Sequence, residues 1–387
     1  MKIRIFCLIA AIVAVCFIPV VAVAEEEVTF EDVLNSLIDG LDSNDANLEL
    51  DKIWEKFGFE QASFKDKILS IINGDFAVDY GSVTSAVFSL VFSGIKSLVP
   101  VMLCICAIAL FYALVSVFNP NFLSEGIMRV LYFTCYAAMI GLVIYKTFDT
   151  VYACFDGIES YAKQMEVVFP LILTVMTALG ANVSAAVYQP AVAFLSTGVT
   201  GVITSFVLPM TVFLIIFSAI SGLSQTLKTE KLASFVSSVI KWILGICVTV
   251  FTMFLSIQGL TAGMYDGITL RVTKYAIGNT VPIVGGFLKD GVDLFLAAGL
   301  LIKNALGICG IILVVGGMIK PVVELIAFSL FLKLTAGLIE PFVDAKMSGF
   351  MYDLSKNLGF VLAATLIVCF MYVITIVLLI CTGGSLL

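Results

Sequence analysis

The chain contains no histidine. That absence excludes Ser-His-Asp and Cys-His catalysis, histidine-ligated metals and histidine proton relays. Charge is scarce too: 13% of residues are Asp, Glu, Lys or Arg, about half the share in a soluble domain. No basic face is available for nucleic acid, which needs one. Ten cysteines are present, but no C-x-x-C pair. Cys7 and Cys16 sit in the leading segment, and the other eight lie in or beside apolar runs. Cys104 and Cys106 face away from each other on a helix, so the cysteines read as small packing residues, neither a disulfide nor a metal framework. No phosphate loop, dinucleotide fingerprint, HExxH or paired-carboxylate site appears, and Gly285-Gly286 reads as a turn. The chain reads as a non-enzyme with no cofactor.

What is there is hydrophobic: 61% of residues, with a mean hydropathy of +1.12. The apolar residues come in runs long enough to cross a bilayer. The expected fold is all-α, a polytopic helical membrane protein. Residues 1–24 read as an export signal: Lys2 and Arg4, an apolar run from Ile5 to Val23, and the small-x-small pattern Ala22-Val23-Ala24 with cleavage after Ala24; the alternative, given the length of the run, is an uncleaved first membrane helix. Glu25 to Ser82 holds fifteen acidic residues and four lysines, a net of −11; the whole chain is −7 and the signal +2, so the remainder from Val83 is +2. Three domains follow: 1–24 signal, 25–82 acidic extracytoplasmic segment, 83–387 membrane domain.

The acidic segment carries helical stripes. Phe30, Val33, Leu34, Leu37, Ile38 and Leu41 form one, with Thr29 and Asp32 as a capping box and Gly40 weakening its end. Leu50, Ile53, Trp54 and Phe57 form a second. Ser63 with Asp66 caps a third, carrying Ile68, Leu69, Ile71 and Ile72. Beyond it, Val83–Ile95 lies along the interface or starts the first span. Clear spans are expected at Leu98–Phe118, Val130–Phe148, Ala191–Ser221, Trp242–Leu260, Leu294–Ile319, Pro321–Pro341 and Leu358–Ile380. Asp149–Glu166 and Asp266–Asp293 are mixed stretches. Val167–Gln189, interrupted by Pro170, Gly180, Asn182, Gln189 and Pro190, reads as a broken or re-entrant hairpin, tolerated at membrane depth only where protein or water covers the freed backbone. Arg129, the Lys228–Lys241 loop and Lys320 belong on the cytoplasmic side. With an external N-terminus that gives seven spans and an internal C-terminus.

The membrane-embedded polar residues are Lys303, Glu324 and Lys333. Lys333 lies mid-span, where it costs about 2.5–3.5 kcal/mol. The apolar residues of the same span outweigh this, and Lys333 is expected to face the bundle interior. Lys303 is similarly placed beside Asn304. Glu324 lies one turn from Lys320, an i,i+4 pair. These residues read either as a polar path or subunit contact, or as structural groups that snorkel or form hydrogen bonds. Gly259, Gly263 and Gly267, and Ala181 with Ala185, have spacings that allow close helix approach.

Two blocks carry a family resemblance. The first is Phe169-Pro170-Leu171-Ile172-Leu173-Thr174, continuing through Ala178-Leu179-Gly180 and Ser184-Ala185-Ala186 to Gln189-Pro190. The second is Lys274-Tyr275-Ala276-Ile277-Gly278-Asn279, continuing through Val281-Pro282-Ile283-Val284-Gly285-Gly286-Phe287 to Asp290. Together they resemble stage III sporulation protein AE. The resemblance implies a role in endospore formation, in the mother-cell membrane around the engulfed forespore. It also implies membership of a transenvelope apparatus with a secretion-type ATPase and ring-forming proteins, joined to a forespore membrane protein. Expected partners are those membrane and ring-forming proteins, the lipid bilayer and further copies of the chain as a homo-oligomer, with no nucleic acid. The family pattern carries no catalytic residue. The motif blocks then become candidate re-entrant elements lining a pore or an oligomer interface. On the residues alone, a stand-alone secondary transporter of a small solute and a non-conducting membrane platform are the alternatives.

Overall fold

The computed structural model describes residues 30–39, 51, 63–74, 80–118, 125–223, 230–280 and 284–382, with the backbone alone for 64, 80, 82–83, 86–87, 117–118, 125, 257–280 and 284–289. Nearly every described residue is helical, and no strand occurs among them. Two short helices come first, α1 (Phe30–Asp39) and α2 (Phe64–Asn73). Six long ones follow: α3 (Tyr80–Phe118), α4 (Glu125–Ala178), α5 (Asn182–Leu223), α6 (Glu230–Thr280), α7 (Val284–Ile339) and α8 (Ala345–Cys381). All six are long and apolar enough to cross a membrane.

The apolar stripe of α1 does what its spacing demands: Leu34 and Ile38 are buried, and Phe30, Val33 and Leu37 pack beside them. Ser63 caps α2, its Oγ accepting from the Asp66 N–H at 3.2 Å. Gly74, at φ 77°, closes the helix in the left-handed conformation that favours glycine. Lys65 reaches Asp39 of α1 at 2.9 Å, and buried Lys67 pairs with Asp51. Both helices rest on α7. The signal with its cleavage after Ala24, the Thr29 cap, Gly40, Leu41 and the Ile53–Phe57 stripe lie outside the described residues.

The long helices run antiparallel in sequence, with α8 at the centre, buried on successive turns from Met347 to Leu379. Glycines set the register. A Cβ added at Gly299, Gly310 or Gly317 of α7 would meet Leu179 just past α4, or Val168 or Tyr161 of α4, within 3 Å. One added at Gly307 would strike Ile380 of α8 at 2.3 Å. Further down, the Ser329 and Ser355 hydroxyls meet at 2.9 Å. The lower end is tied by aromatic rings running from Tyr112 of α3 through Tyr132 and Tyr136 of α4 to Phe350 of α8, with centroids 6.3, 5.8 and 5.7 Å apart. Tyr132 and Tyr136 also donate to the Gly222 and Ala219 carbonyls of α5, at 2.9 and 3.1 Å.

Three expectations change. Leu294–Ile319 and Pro321–Pro341 are not separate spans but one helix of 56 residues, α7. Pro321 removes only its own N–H and frees the Gly317 carbonyl, a loss that helices inside a bundle absorb. Gly316, Gly317 and Lys320 before it stay helical as well, so the chain does not reverse there. Second, because α7 is one continuous helix, α8 returns to the end where α1 sits. One cleft there is lined by Ser36 and Leu37 of α1 with Leu179, Gly299 and Ile302. Tyr188, near the start of α5, is 3.0 Å from Thr382, just beyond α8. The N-terminal helices and the end of α8 therefore share one end of the bundle, not opposite ends. Third, Val167–Gln189 is the broken hairpin its residues suggest, turning at Gly180, but it is not an element apart from the long helices. Its two arms continue into full-length helices, with Pro170 inside α4 and Pro190 inside α5. Of the two readings of Val83–Ile95, the continuous one holds: it runs into Leu98–Phe118 as one helix.

Candidate functional site

The first motif block makes the connection between α4 and α5. Gly180 has φ 81°. Its N–H bonds the Thr177 carbonyl at 3.0 Å and the Ala181 N–H bonds the Met176 carbonyl at 2.9 Å. This paired pattern satisfies the last carbonyls of α4 and needs a left-handed residue at its centre. Asn182 then starts α5. Buried Ala181 and Ala185 bring the arms close, as the small-x-x-x-small spacing requires. Between the arms lies a cleft of about 490 Å³, lined by Pro170, Thr174, Asn182, Ala186 and Gln189 among others. Asn182, Gln189 and Pro190 are exposed beside it, and Gly180 is half-buried at the turn.

The second block makes the next connection at the same end. Gly278 and Asn279 lie in the last turn of α6, and Gly285 and Gly286 in the first turn of α7; Pro282 falls outside the described residues. Both blocks are therefore helix-to-helix connections at the end that also holds α1 and the terminus of α8.

The three embedded polar residues part company. Lys303 is 1% exposed, and its Nζ donates to the Ile380 carbonyl at 3.0 Å and to the Thr382 carbonyl. It closes the C-terminus of α8, where orphan carbonyls and the negative end of the helix dipole favour a cation. Glu324 makes the expected pair with Lys320, at 4.0 Å. It also faces a cavity of about 110 Å³ between α3, α4 and α7, shared with Ser93, Ser97, Lys146 and Thr150. Lys333 does not face the bundle interior. It is exposed, because the inward positions of that turn belong to Leu332, Thr335 and Ala336. Its flexible stem lets the ammonium leave the apolar level without a partner.

A further polar feature lies in the mixed stretch Asp149–Glu166. On α4, Tyr145, Asp149, Tyr152, Asp156, Glu159, Lys163, Glu166 and Pro170 are all exposed. Their alternating steps of four and three put them on one face, while Val143, Cys154, Ile158, Tyr161, Met165 and Val168 fill the other. The level of this face is fixed by its neighbours. Its lower limit shares the cavity at Lys146 and Thr150 with Phe328 of α7. Its upper limit is Phe169, 6.2 Å from the ring of Tyr372 of α8. Between those levels the other helices expose large apolar side chains: Phe206 and Phe213 on α5, Trp242 and Met253 on α6, Ile326 on α7, Leu366 and Phe370 on α8. Contacts between Lys241 and the Phe360 ring (5.9 Å), Phe194 and Phe254 (6.0 Å) and Thr200 and Tyr372 (3.3 Å) align these helices. The charged face thus stands inside an apolar belt. Left against lipid, its five charges would cost about 12–17 kcal/mol together, at about 2.5–3.5 kcal/mol each.

A second missed feature is a pair of π-helical segments in α5, Phe194–Val199 and Ile203–Val207. Thr200 lies between them, its hydroxyl bonding the Leu195 carbonyl at 3.1 Å in the widened turn. Among the described residues no group of three or more acidic residues or cysteines is placed to hold a metal ion.

A family model for stage III sporulation protein AE matches residues 62–383, from the cap of α2 to the end of α8. The chain belongs to that family. The stage III sporulation protein AE of Bacillus subtilis (strain 168) is 25% identical over 347 residues, covering 88% of this chain and 87% of that one. No solved structure matches. The match includes both motif blocks and the whole charged face of α4. It makes this chain a sporulation protein, and the six long apolar helices give it the character of a multi-pass membrane protein.

Proposed function

We propose that the protein is a non-enzymatic membrane subunit of a multiprotein transenvelope complex that links mother cell and forespore during endospore formation. It sits in the mother-cell membrane around the forespore, with the end bearing α1, both motif blocks and the terminus of α8 outside the cytoplasm. Its partners are the membrane and ring-forming proteins of that apparatus and further copies of itself. The observation that carries this reading is the charged face of α4 inside the apolar belt. A protein that worked alone in lipid would gain by replacing those charges with apolar residues. A protein that is one part of an assembly keeps them for what covers them.

One feature favours the stand-alone transporter: the π segments of α5 lie mid-bundle, and irregular helices at that depth serve solute sites in transporters. Here, however, the widened turn is filled from within the protein by the Thr200 and Tyr372 hydroxyls at 3.3 Å. Affinity purification of the full chain from sporulating cells separates the readings. Recovery with several other sporulation proteins is expected. A chain that purifies alone and binds a small solute would be a transporter, and the proposal would fail.

A further inference from the structure

We propose that the charged face of α4 docks against α6 of a neighbouring copy of the same chain, with Asp156 meeting that copy's Lys241. This builds on the reading of the protein as an assembled membrane subunit and names the contact.

The occupant follows from charge, shape and level. Within the chain, Lys146 pairs with Asp149 at 2.6 Å, and Lys163 lies one turn from both Glu159 and Glu166, at helix spacings that let charges interact. Asp156 forms no ion pair among the described residues and stands at the centre of the face. Two copies inserted in one membrane have the same orientation. If their α4 faces met each other, Asp149 would face Asp149 and Asp156 would face Asp156, and like charges in such a contact repel. The complement must come from a different surface of the neighbour.

That surface exists on α6. Lys241 is exposed and followed at helical spacing by Gly245 and Thr249. With Trp242, Ile246 and Val250 they line a shallow depression on the outside of the bundle. A Cβ added at Gly245 would meet nothing within 4 Å, so the depression has room for a large side chain. The α4 face supplies two, Tyr145 and Tyr152, at 78% and 58% exposure.

The levels agree. Lys241 lies over Phe360 of α8, and Gly157, next to Asp156, abuts Pro321 of α7. The register of α7 on α8, set by Ser329 on Ser355 and Gly310 near Ile376, places Lys241 about one helical turn from the level of Asp156. That gap is within reach of a lysine side chain. Inside one copy α4 packs on α3, α5, α7 and α8, and α6 packs on α5, α7 and α8, so among the described residues nothing covers either face. Joining two different surfaces in this way builds a ring or an open series, not a closed pair.

The test uses the full-length chain, cleared of its native cysteines, in membranes of sporulating cells. Asp156→Cys and Lys241→Cys are made singly and together, and treated with a short thiol cross-linker. A ladder running past the dimer from the double variant, at least tenfold weaker from either single variant, supports the contact. Asp156→Lys should lower native oligomer recovery at least fivefold, and adding Lys241→Asp should restore it. The contact is overturned by a dimer from Asp156→Cys alone, which means like faces meet. It is also overturned by rapid labelling at position 156 with a membrane-impermeant thiol reagent, which means the face lines water, or by unchanged oligomer in the charge-reversed variant. If the other sporulation proteins still co-purify when the cross-link fails, only the contact is wrong. If they never do, the broader functional reading is wrong.

Discussion

Lys303 and Lys333 lie on the same helix, at similar depth in the sequence pattern, yet they should respond in opposite ways to replacement by methionine, which keeps the length and removes the charge. Lys303 is buried, and its ammonium serves two carbonyls at the end of α8, Ile380 and Thr382. Lys303→Met leaves both without that donor. A buried polar group left unsatisfied costs about 1–3 kcal/mol, and the lost charge near the helix C-terminus adds about 0.3–1 kcal/mol. Relief from burying an ammonium offsets part of this, leaving a net loss of about 2–4 kcal/mol. At about 2–4 °C per kcal/mol, the thermal midpoint of the detergent-purified protein should fall by about 4–16 °C. Faster hydrogen exchange at residues 378–382 should accompany the fall, because that turn loses its anchor. Lys333 is exposed and makes no hydrogen bond or ion pair with the described residues. Lys333→Met should leave the midpoint within about 1 °C or raise it. Equal midpoints for the two variants, or a more stable Lys303→Met, would show that the lysine does not hold the last helix and that the argument from its two carbonyls is wrong.

Two further outcomes follow from the packing. Gly180→Ala places a side chain at φ 81° and should cost about 1–2 kcal/mol, while Gly180→Asn, which accepts that conformation better, should cost less; thermal midpoints of the three proteins decide it. Gly222→Ala would put a Cβ 1.9 Å from the Tyr136 hydroxyl, held in place by the Ala219 carbonyl and stacked on Tyr132. That overpacking should cost about 1–3 kcal/mol, and combining it with Tyr136→Leu should cost less than the sum of the two single changes.

The stripe of α1 and the Ser63 cap of α2 could be read directly, because short helices that rest one face on a larger body show plain periodicity. The motif blocks were recognised by their residues, and their glycines marked the end of α4, where a left-handed residue is needed. Continuity was harder to see. Lys320-Pro321 has the composition of a loop, yet proline costs a helix one hydrogen bond, and the surrounding bundle decides whether the chain turns there. The charged face of α4 was hidden for the opposite reason. Its 149-152-156-159-163-166 spacing was present in the sequence, but the density of charge argued for a segment between spans, and only the register against α7 and α8 reveals that it stands among apolar surfaces. Nothing in the residues separates Lys303 from Lys333, since what distinguishes them is the distance to the end of a helix more than seventy positions away in the chain. The π segments left no periodic trace, because one extra residue per turn over so short a stretch does not change which residue types are present.

A single uninterrupted α7 has a consequence for how the molecule can be engaged from its far side. Away from the end that carries α1, the described residues offer the ends of the long helices and one short link, 340–344, between α7 and α8. Among the described residues, a soluble motor or scaffold approaching from there meets helix ends and no globular body, a small foothold that the proposed assembly would multiply by setting several subunits side by side.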